Sequence, residues 1–445
     1  MAGLVASAGA QANDAARPTP PARLTGIEEV APIPQAVRDG MAAALSAEGL
    51  VQQVLARNPS LAQMRAAWQA ASARYPQVTS LDDPMFGSTF APASIGSANV
   101  DFGYRLEISQ KYPFPGKRAL RGQGALAEAS AAGHDIDDMR LQLIEAARSA
   151  FYDYYLVGRA LAVNDESVQL LKEFRQNAES RYRTALVPQQ DVLQADVELA
   201  RQQERRLTLE RMRQVATARI NTLMHSAPDE PLLPPPERLE ALEPSPEAKL
   251  LRMAALDRRP DVRALTDRIR GDQAALALAQ KEFRPDFEVT AAYDTIMGNG
   301  PTRDLAPQVG VRLNLPVRRA KRCGAVAEAE ARLAERQAEL DRQIDQVNFQ
   351  VQEAYEQARE SERVVALYKE RIVPAAEANV KAAQSAYVTG KTPFLSLVEA
   401  QRSLIDLRAR RYEAIAEWHR RRATLERVIG GELPASPRPD GRTND

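Results

Sequence analysis

The residues best able to do chemistry are few and scattered. His134, His225 and His419 stand far apart, and none has a second ligand at metal-binding spacing. His419, beside Trp418, reads as packing next to a polar neighbour. The one cysteine, Cys323, can form no disulfide within the chain and is silent about redox compartment. No Walker A sequence, Rossmann glycine set or nucleophile elbow occurs. Arg408, Arg410, Arg411, Arg420, Arg421 and Arg422 are interleaved with Glu413 and Glu417, the pattern of a solvated helix face and not of a nucleic-acid stripe. The sequence thus makes no case for an enzyme, a cofactor or a bound metal. Function has to be sought in the elements themselves.

The chain has 445 residues, and Lys plus Arg equal Asp plus Glu at 59 each, so no global charge points to nucleic acid or to an anionic surface. Low aromatic content with abundant Ala, Arg, Glu, Gln and Leu is the composition of long packed helices. No run of 18 or more apolar residues exists to make a spanning helix, which leaves closed β-barrels as the permitted membrane structure. The start, MAGLVASAGAQANDA, resembles the last part of a secretory signal with an A-x-A site at Ala10-Gln11-Ala12; a disordered Ala-rich tail is the alternative. Prolines crowd residues 17–36, so residues 1–40 read as a signal remnant and an extended arm.

The chain is written twice. Leu55-Ala56-Arg57-Asn58-Pro59 aligns with Leu256-Asp257-Arg258-Arg259-Pro260, and Tyr112-Pro113-Phe114 with Leu315-Pro316-Val317. AESRYRTALVPQQDVLQADVELARQ from Ala178 aligns with AQSAYVTGKTPFLSLVEAQRSLIDL from Ala383. A period of about 200 residues is a duplicated domain and not a short-repeat solenoid. The copies are expected over 41–227 and 248–430, joined by a Pro-rich linker or small irregular region at 228–247 and followed by a disordered tail at 431–445.

Each copy has one order: a helix after the Asn/Arg-Pro pair, two strands, a very long helix over about 117–187 or 318–389, a turn, and a helix over 189–224 or 394–429. A helix of about 70 residues is roughly 105 Å long and must find partners along its whole length. The returning helix covers half of it and the helix before the strands the other half, so each copy should form a rod two helices wide. Leu397, Ala400, Leu404, Leu407, Ala414, Trp418 and Leu425, interrupted by Arg411, are spaced as coiled-coil a and d positions.

Four strands are expected, near 85–91, 100–110, 286–294 and 307–315. One face carries Phe102, Tyr104, Leu106 and Ile108, then Phe287, Val289 and Tyr293, then Val309, Val311, Leu313 and Leu315. The other face carries Asp101, Arg105, Glu107, Glu288, Thr290 and Arg312, as a water-filled lumen would ask. The competing expectation is a small sheet lying on the helices with its charged side in solvent. With the helices already paired, little apolar surface is left to cover such a sheet. Four strands cannot close a barrel, so a membrane sheet requires oligomerisation.

In these features the chain resembles the outer-membrane efflux proteins of the TolC family. The segment Gln110-Lys111-Tyr112-Pro113-Phe114-Pro115-Gly116-Lys117-Arg118 looks like the heavy-metal (cation) efflux subgroup. Other carriers are the helix starts at Pro59 and Pro260, Tyr182-Arg183-Thr184-Ala185 with Asp191-Val192-Leu193-Gln194-Ala195, Tyr387-Val388-Thr389-Gly390 with Leu397-Val398-Glu399-Ala400, and Pro374 in the second long helix. The resemblance implies a mainly α fold with a β-barrel portion: a homotrimer forming a helical tunnel across the periplasm and a 12-stranded barrel in outer-membrane lipid. It implies a passive exit duct joined through a periplasmic adaptor to an inner-membrane pump, for metal cations, drugs or, as another reading, proteins. The turns at 185–190 (Ala185, Leu186, Val187, Pro188) and 390–395 (Gly390, Lys391, Thr392, Pro393) would meet the adaptor and close the tunnel. The family often has glycine where Ala185 stands. Its acidic aperture ring maps to Ser396 and Glu399, of which only Glu399 is acidic; Asp191 is the other candidate. Solvated residues favoured by a helix dipole are the alternative for both. A water-soluble coiled-coil scaffold or periplasmic adaptor with a small sheet remains the competing function.

Overall fold

The computed structural model describes residues 44–92, 95, 103–240, 246–294 and 307–434. Chain contacts separate Met1–Ala44, of which only Ala44 is described, from Leu45–Asp445, to which everything below refers. The signal-like start, the Pro-rich arm, Phe102, the turn at 298–301 and the tail beyond residue 434 lie outside the described residues.

Helices α1 (Ala47–Arg57) and α2 (Pro59–Thr79) meet at Asn58. Its side chain accepts from the Ser60 amide at 2.9 Å and donates to the Leu223 carbonyl at 2.9 Å. In the second copy α5 (Ala248–Arg258) and α6 (Pro260–Lys281) meet at Arg259, which donates to the Val428 carbonyl at 3.4 Å. The Asn/Arg-Pro pair thereby has a physical reason. Proline is preorganised for the first helical position. The residue before it carries a donor for a carbonyl at or near the end of a returning helix, where the last turn leaves carbonyls without partners.

Strands β1 (Met85–Phe90) and β2 (Tyr104–Tyr112) follow α2, and β3 (Phe287–Asp294) and β4 (Pro307–Leu313) follow α6. The long helix of the first copy, α3 (Lys117–Arg183), is unbroken over 67 residues. Its counterpart is not the continuous helix expected. It divides into α7 (Arg319–Leu367), a π-helical turn at Tyr368–Ile372, and α8 (Val373–Val388). Pro374 has no N–H for the carbonyl four residues back. The Val373 amide bonds instead to the Tyr368 carbonyl five residues back, the π spacing. The returning helices are α4 (Gln189–Leu223) and α9 (Phe394–Ile429).

The isolated two-helix rods are replaced by packing across the copies. Helix α3 lies against α2 and α4 of its own copy and against α6 and α9 of the other. Phe151, Tyr152, Tyr154 and Tyr155 are all buried, and four such neighbours cannot share one helix stripe, so α3 needs cover on several sides. The expected seam on α9 also shifts register: Leu397, Ala400, Leu404 and Leu425 are buried, but Leu407, Ala414 and Trp418 are only half-buried. Ala416 and His419 take the inward places. The His419 ring sits 4.9 Å from that of Tyr152, and burial, aided by Arg422, lowers its pKa to about 4, so it packs as a neutral ring.

Two matching cores lie where each copy's helices cross. One joins Leu50 and Val54 to Leu143, Ala147, Phe151 and Ile220; the other joins Leu251 and Ala255 to Val347, Val351, Leu425 and Ile429. The first part of the inter-repeat segment is held to the helices, with the Asn221 amide donating to the Glu230 carbonyl at 2.8 Å and the Tyr154 hydroxyl to that of Leu233 at 3.2 Å.

Candidate functional site

The four strands form one antiparallel sheet in chain order. Its register opposes Phe86 to Ile108, Ile108 to Ala291, Ala291 to Val309, Val289 to Val311 and Phe287 to Leu313. Because side chains alternate along each strand, Tyr104, Leu106, Ile108, Phe287, Val289, Tyr293, Val309, Val311 and Leu313 fall on one face. Leu315 lies past the end of β4 and is exposed. The opposite face carries Arg105 paired with Glu107 at 2.8 Å, and Arg312 paired with Glu107 at 2.7 Å and Glu288 at 3.8 Å.

Burial runs against the usual sense. Phe86 is 71% exposed and Val309 80%, whereas Thr290 and Ala292 on the charged face are buried. Among the described residues no helix makes more than marginal contact with any strand, so no helix covers the apolar face. The expectation of a sheet resting its apolar face on the helices is thereby overturned. Among the described residues β1 and β4 each pair with one strand, at the two edges of the sheet.

A buried lysine, which the sequence reading passed over, fixes the joint between sheet and helices. In the Pro113-Phe114-Pro115-Gly116-Lys117 segment the prolines impose extended backbone and Gly116 turns left-handed at φ 90°. That turn drives Lys117 inward, where it is fully buried and donates to Glu282 at 3.1 Å, Asp286 at 2.9 Å and the Arg284 carbonyl at 3.2 Å. Asp286 also accepts from the Phe114 amide at 2.8 Å. One cation thus ties the β2 to α3 passage of the first copy to the α6 to β3 passage of the second. The Pro-Phe-Pro-Gly-Lys order was the available signal.

At the far end, α3 and α8 finish in the same motif. The Ala185 amide bonds to the Tyr182 carbonyl and Leu186 to Arg181; Gly390 bonds to Tyr387 and Lys391 to Ala386. These are Schellman caps, whose central residue is left-handed, with φ 56° at Ala185 and 69° at Gly390. The first turn therefore keeps its conformation without the glycine, at a cost near 1 kcal/mol for a residue with Cβ. Ala185→Gly should raise stability by about 0.5–1 kcal/mol in thermal unfolding; a loss would show that the turn is not left-handed.

The two turns are clasped together. Arg181 donates to the Tyr387 carbonyl at 3.0 Å and stacks its guanidinium 4.8 Å from the Tyr387 ring centre. The Tyr387 hydroxyl donates to Asp191 at 3.4 Å, and its ring packs against buried Phe394. Burial raises the Asp191 carboxyl above its usual range, against the opposing pull of Tyr387 and Arg181. One step along, Glu198 is buried and accepts from Nε and Nη2 of Arg402. Glu399 is exposed and lines an α8–α9 groove with Ser396 and Thr392. The structure therefore places Asp191 in the clasp, and Ser396 and Glu399 on a separate groove. Leu186, Val187, Pro188, Lys391 and Pro393 form the turn surfaces, with Leu186 69% exposed. The tyrosine at one position in both copies marked the clasp, but only Tyr387 is buried; Tyr182 is exposed.

Comparison with known proteins agrees with this architecture. The family model described as outer membrane efflux protein matches residues 251–431, essentially the second copy. No curated protein sequence matches the chain. Among solved structures, the outer-membrane channel OprN is similar with a TM-score of 0.72 at 21% identity, over 87% of this chain and 90% of that one. The outer membrane protein VceC of Vibrio cholerae is similar at 0.72 and 19%, over 86% and 96%. CusC, whose structures concern folding and transmembrane channel formation, is similar at 0.73 and 14%, over 87% and 92%. At these identities the likeness establishes a fold, and it is the fold of these outer-membrane proteins.

Proposed function

We propose that the chain is one protomer of a passive exit duct in the outer membrane, part of a tripartite efflux system with an inner-membrane pump and a periplasmic adaptor. The observation that carries this reading is the exposed apolar face of a sheet whose other face carries paired charges. Water penalises such a face; lipid does not. The sheet edges at β1 and β4 support oligomerisation, since unpaired backbone in hydrocarbon costs several kcal/mol per group. Three copies supply twelve strands, enough to close a barrel, and their helices continue the lumen into the periplasm.

The fold likeness and the efflux-protein match over 251–431 support the same reading, and neither asks for catalysis. The exposed turns at 185–190 and 390–395 are the adaptor-facing surface. The Arg181–Tyr387–Asp191 clasp holds the two turns closed against each other. In a three-fold assembly Glu399 would come together in three copies and select cations. The segment 110–118 favours metal cations as cargo. The soluble scaffold reading has no observation in its favour, because it leaves the apolar face wet.

Fractionation tests the proposal. Recovery with outer membranes and resistance to carbonate extraction are expected; a detergent-free soluble pool would overturn it. Glu399→Ala should lower cation conductance of the reconstituted channel, and unchanged conductance would remove its role at the aperture.

A further inference from the structure

Five cations stand at the level where the strands hand over to the long helices. Arg118 and Arg121 open α3, and Arg318, Arg319 and Lys321 open α7; all five are exposed. Arg118 and Lys321 occupy the same place in the two copies. None of the five makes an ion pair among the described residues, and the nearby carboxylates Glu282 and Asp286 are already engaged by Lys117. Lys111 and Glu288, opposite each other in the register, belong to the charged face of the sheet, and exposed Asp82 and Asp83 are further acids near this level.

These cations break a local rule. A helix start favours acids and disfavours cations; α1, α4 and α6 carry Glu48, Asp191 and Asp261 in their first turns, and α2, α5, α8 and α9 carry no acid there. α3 and α7 carry no acid there and several cations instead, in both copies. Immediately before the α7 cations stand Leu315 and Val317, 70% and 79% exposed. Apolar side chains followed at once by unpaired cations match the boundary between acyl chains and phosphate headgroups.

We infer that this collar docks the headgroups of anionic phospholipids in the leaflet on the helix side of the sheet. The inference rests on the membrane reading above. It adds a lipid class, which that reading does not specify. The collar also sets the depth of the sheet, since the phosphates hold the handover level at the membrane surface.

The test uses the full chain, refolded from detergent into vesicles of phosphatidylcholine alone or mixed with phosphatidylglycerol, beside R118Q/R318Q/R319Q/K321Q. Wild type should insert preferentially into the phosphatidylglycerol vesicles, and salt should erase the preference. The variant should lose it, at about fivefold in partitioning per neutralised cation. Its thermal stability in detergent should be unchanged or higher, because the dipole conflict is gone. An equal preference in variant and wild type would overturn the inference. Should the variant fail to fold, the salt response of wild type decides. Insertion into neither vesicle would strike the membrane reading itself.

Discussion

Val309→Arg is expected to abolish assembly in the membrane, with a penalty of about 2–4 kcal/mol at mid-bilayer depth. Val309 sits on β4 opposite Ala291 and is 80% exposed on the apolar face. Leu313→Arg, on the same face but at the handover to α7, should cost less, because the penalty falls toward about 0–1 kcal/mol near the interface. Gln308→Arg, on the charged face, should be tolerated. The measurement is recovery of folded protein in outer-membrane fractions. A gradient along β4 confined to odd positions is the mark of lipid. Equal tolerance of all three would mean that the face meets water or protein.

Lys117→Met should destabilise the chain by about 2–4 kcal/mol, read from thermal unfolding in detergent. Removing one partner of a buried ion pair typically costs 3–5 kcal/mol. The range is lowered because the Glu282 and Asp286 side chains keep 40% and 31% of their exposure and can rehydrate. The loss should be larger than for Arg205→Met, whose pairing with Asp406 is solvent-exposed and worth less than about 1 kcal/mol. Equal effects would show that Lys117 does not secure the joint.

Much of the architecture was legible because long amphipathic elements repeat. The Asn58-Pro59 and Arg259-Pro260 starts, the strand alternation and the turns at 185 and 390 all depend on local chemistry, which a sequence displays. What escaped depends on partners far away. The burial of Tyr387 but not Tyr182 follows from Arg181, Asp191 and Phe394 converging on one copy's tyrosine. His419 replaces Trp418 in the core because α9 packs on α3 of the other copy, so its heptad does not run on undisturbed. The two acids proposed for the aperture divided likewise: Asp191 lies inside the clasp and Glu399 outside it, though both sit near helix starts.

The π turn at Tyr368–Ile372 keeps the two halves of the molecule in step. The second copy carries slightly more residues between strand exit and tip than the first, whose α3 has no such turn. A wider coil takes up surplus sequence as girth instead of length. Wound as ordinary α-helix with all of its residues kept, this segment would swing everything beyond it by about 100°. Tyr387 would then face away from Arg181 and Asp191 of the first copy, so the bulge acts as a phase corrector between unequal twins.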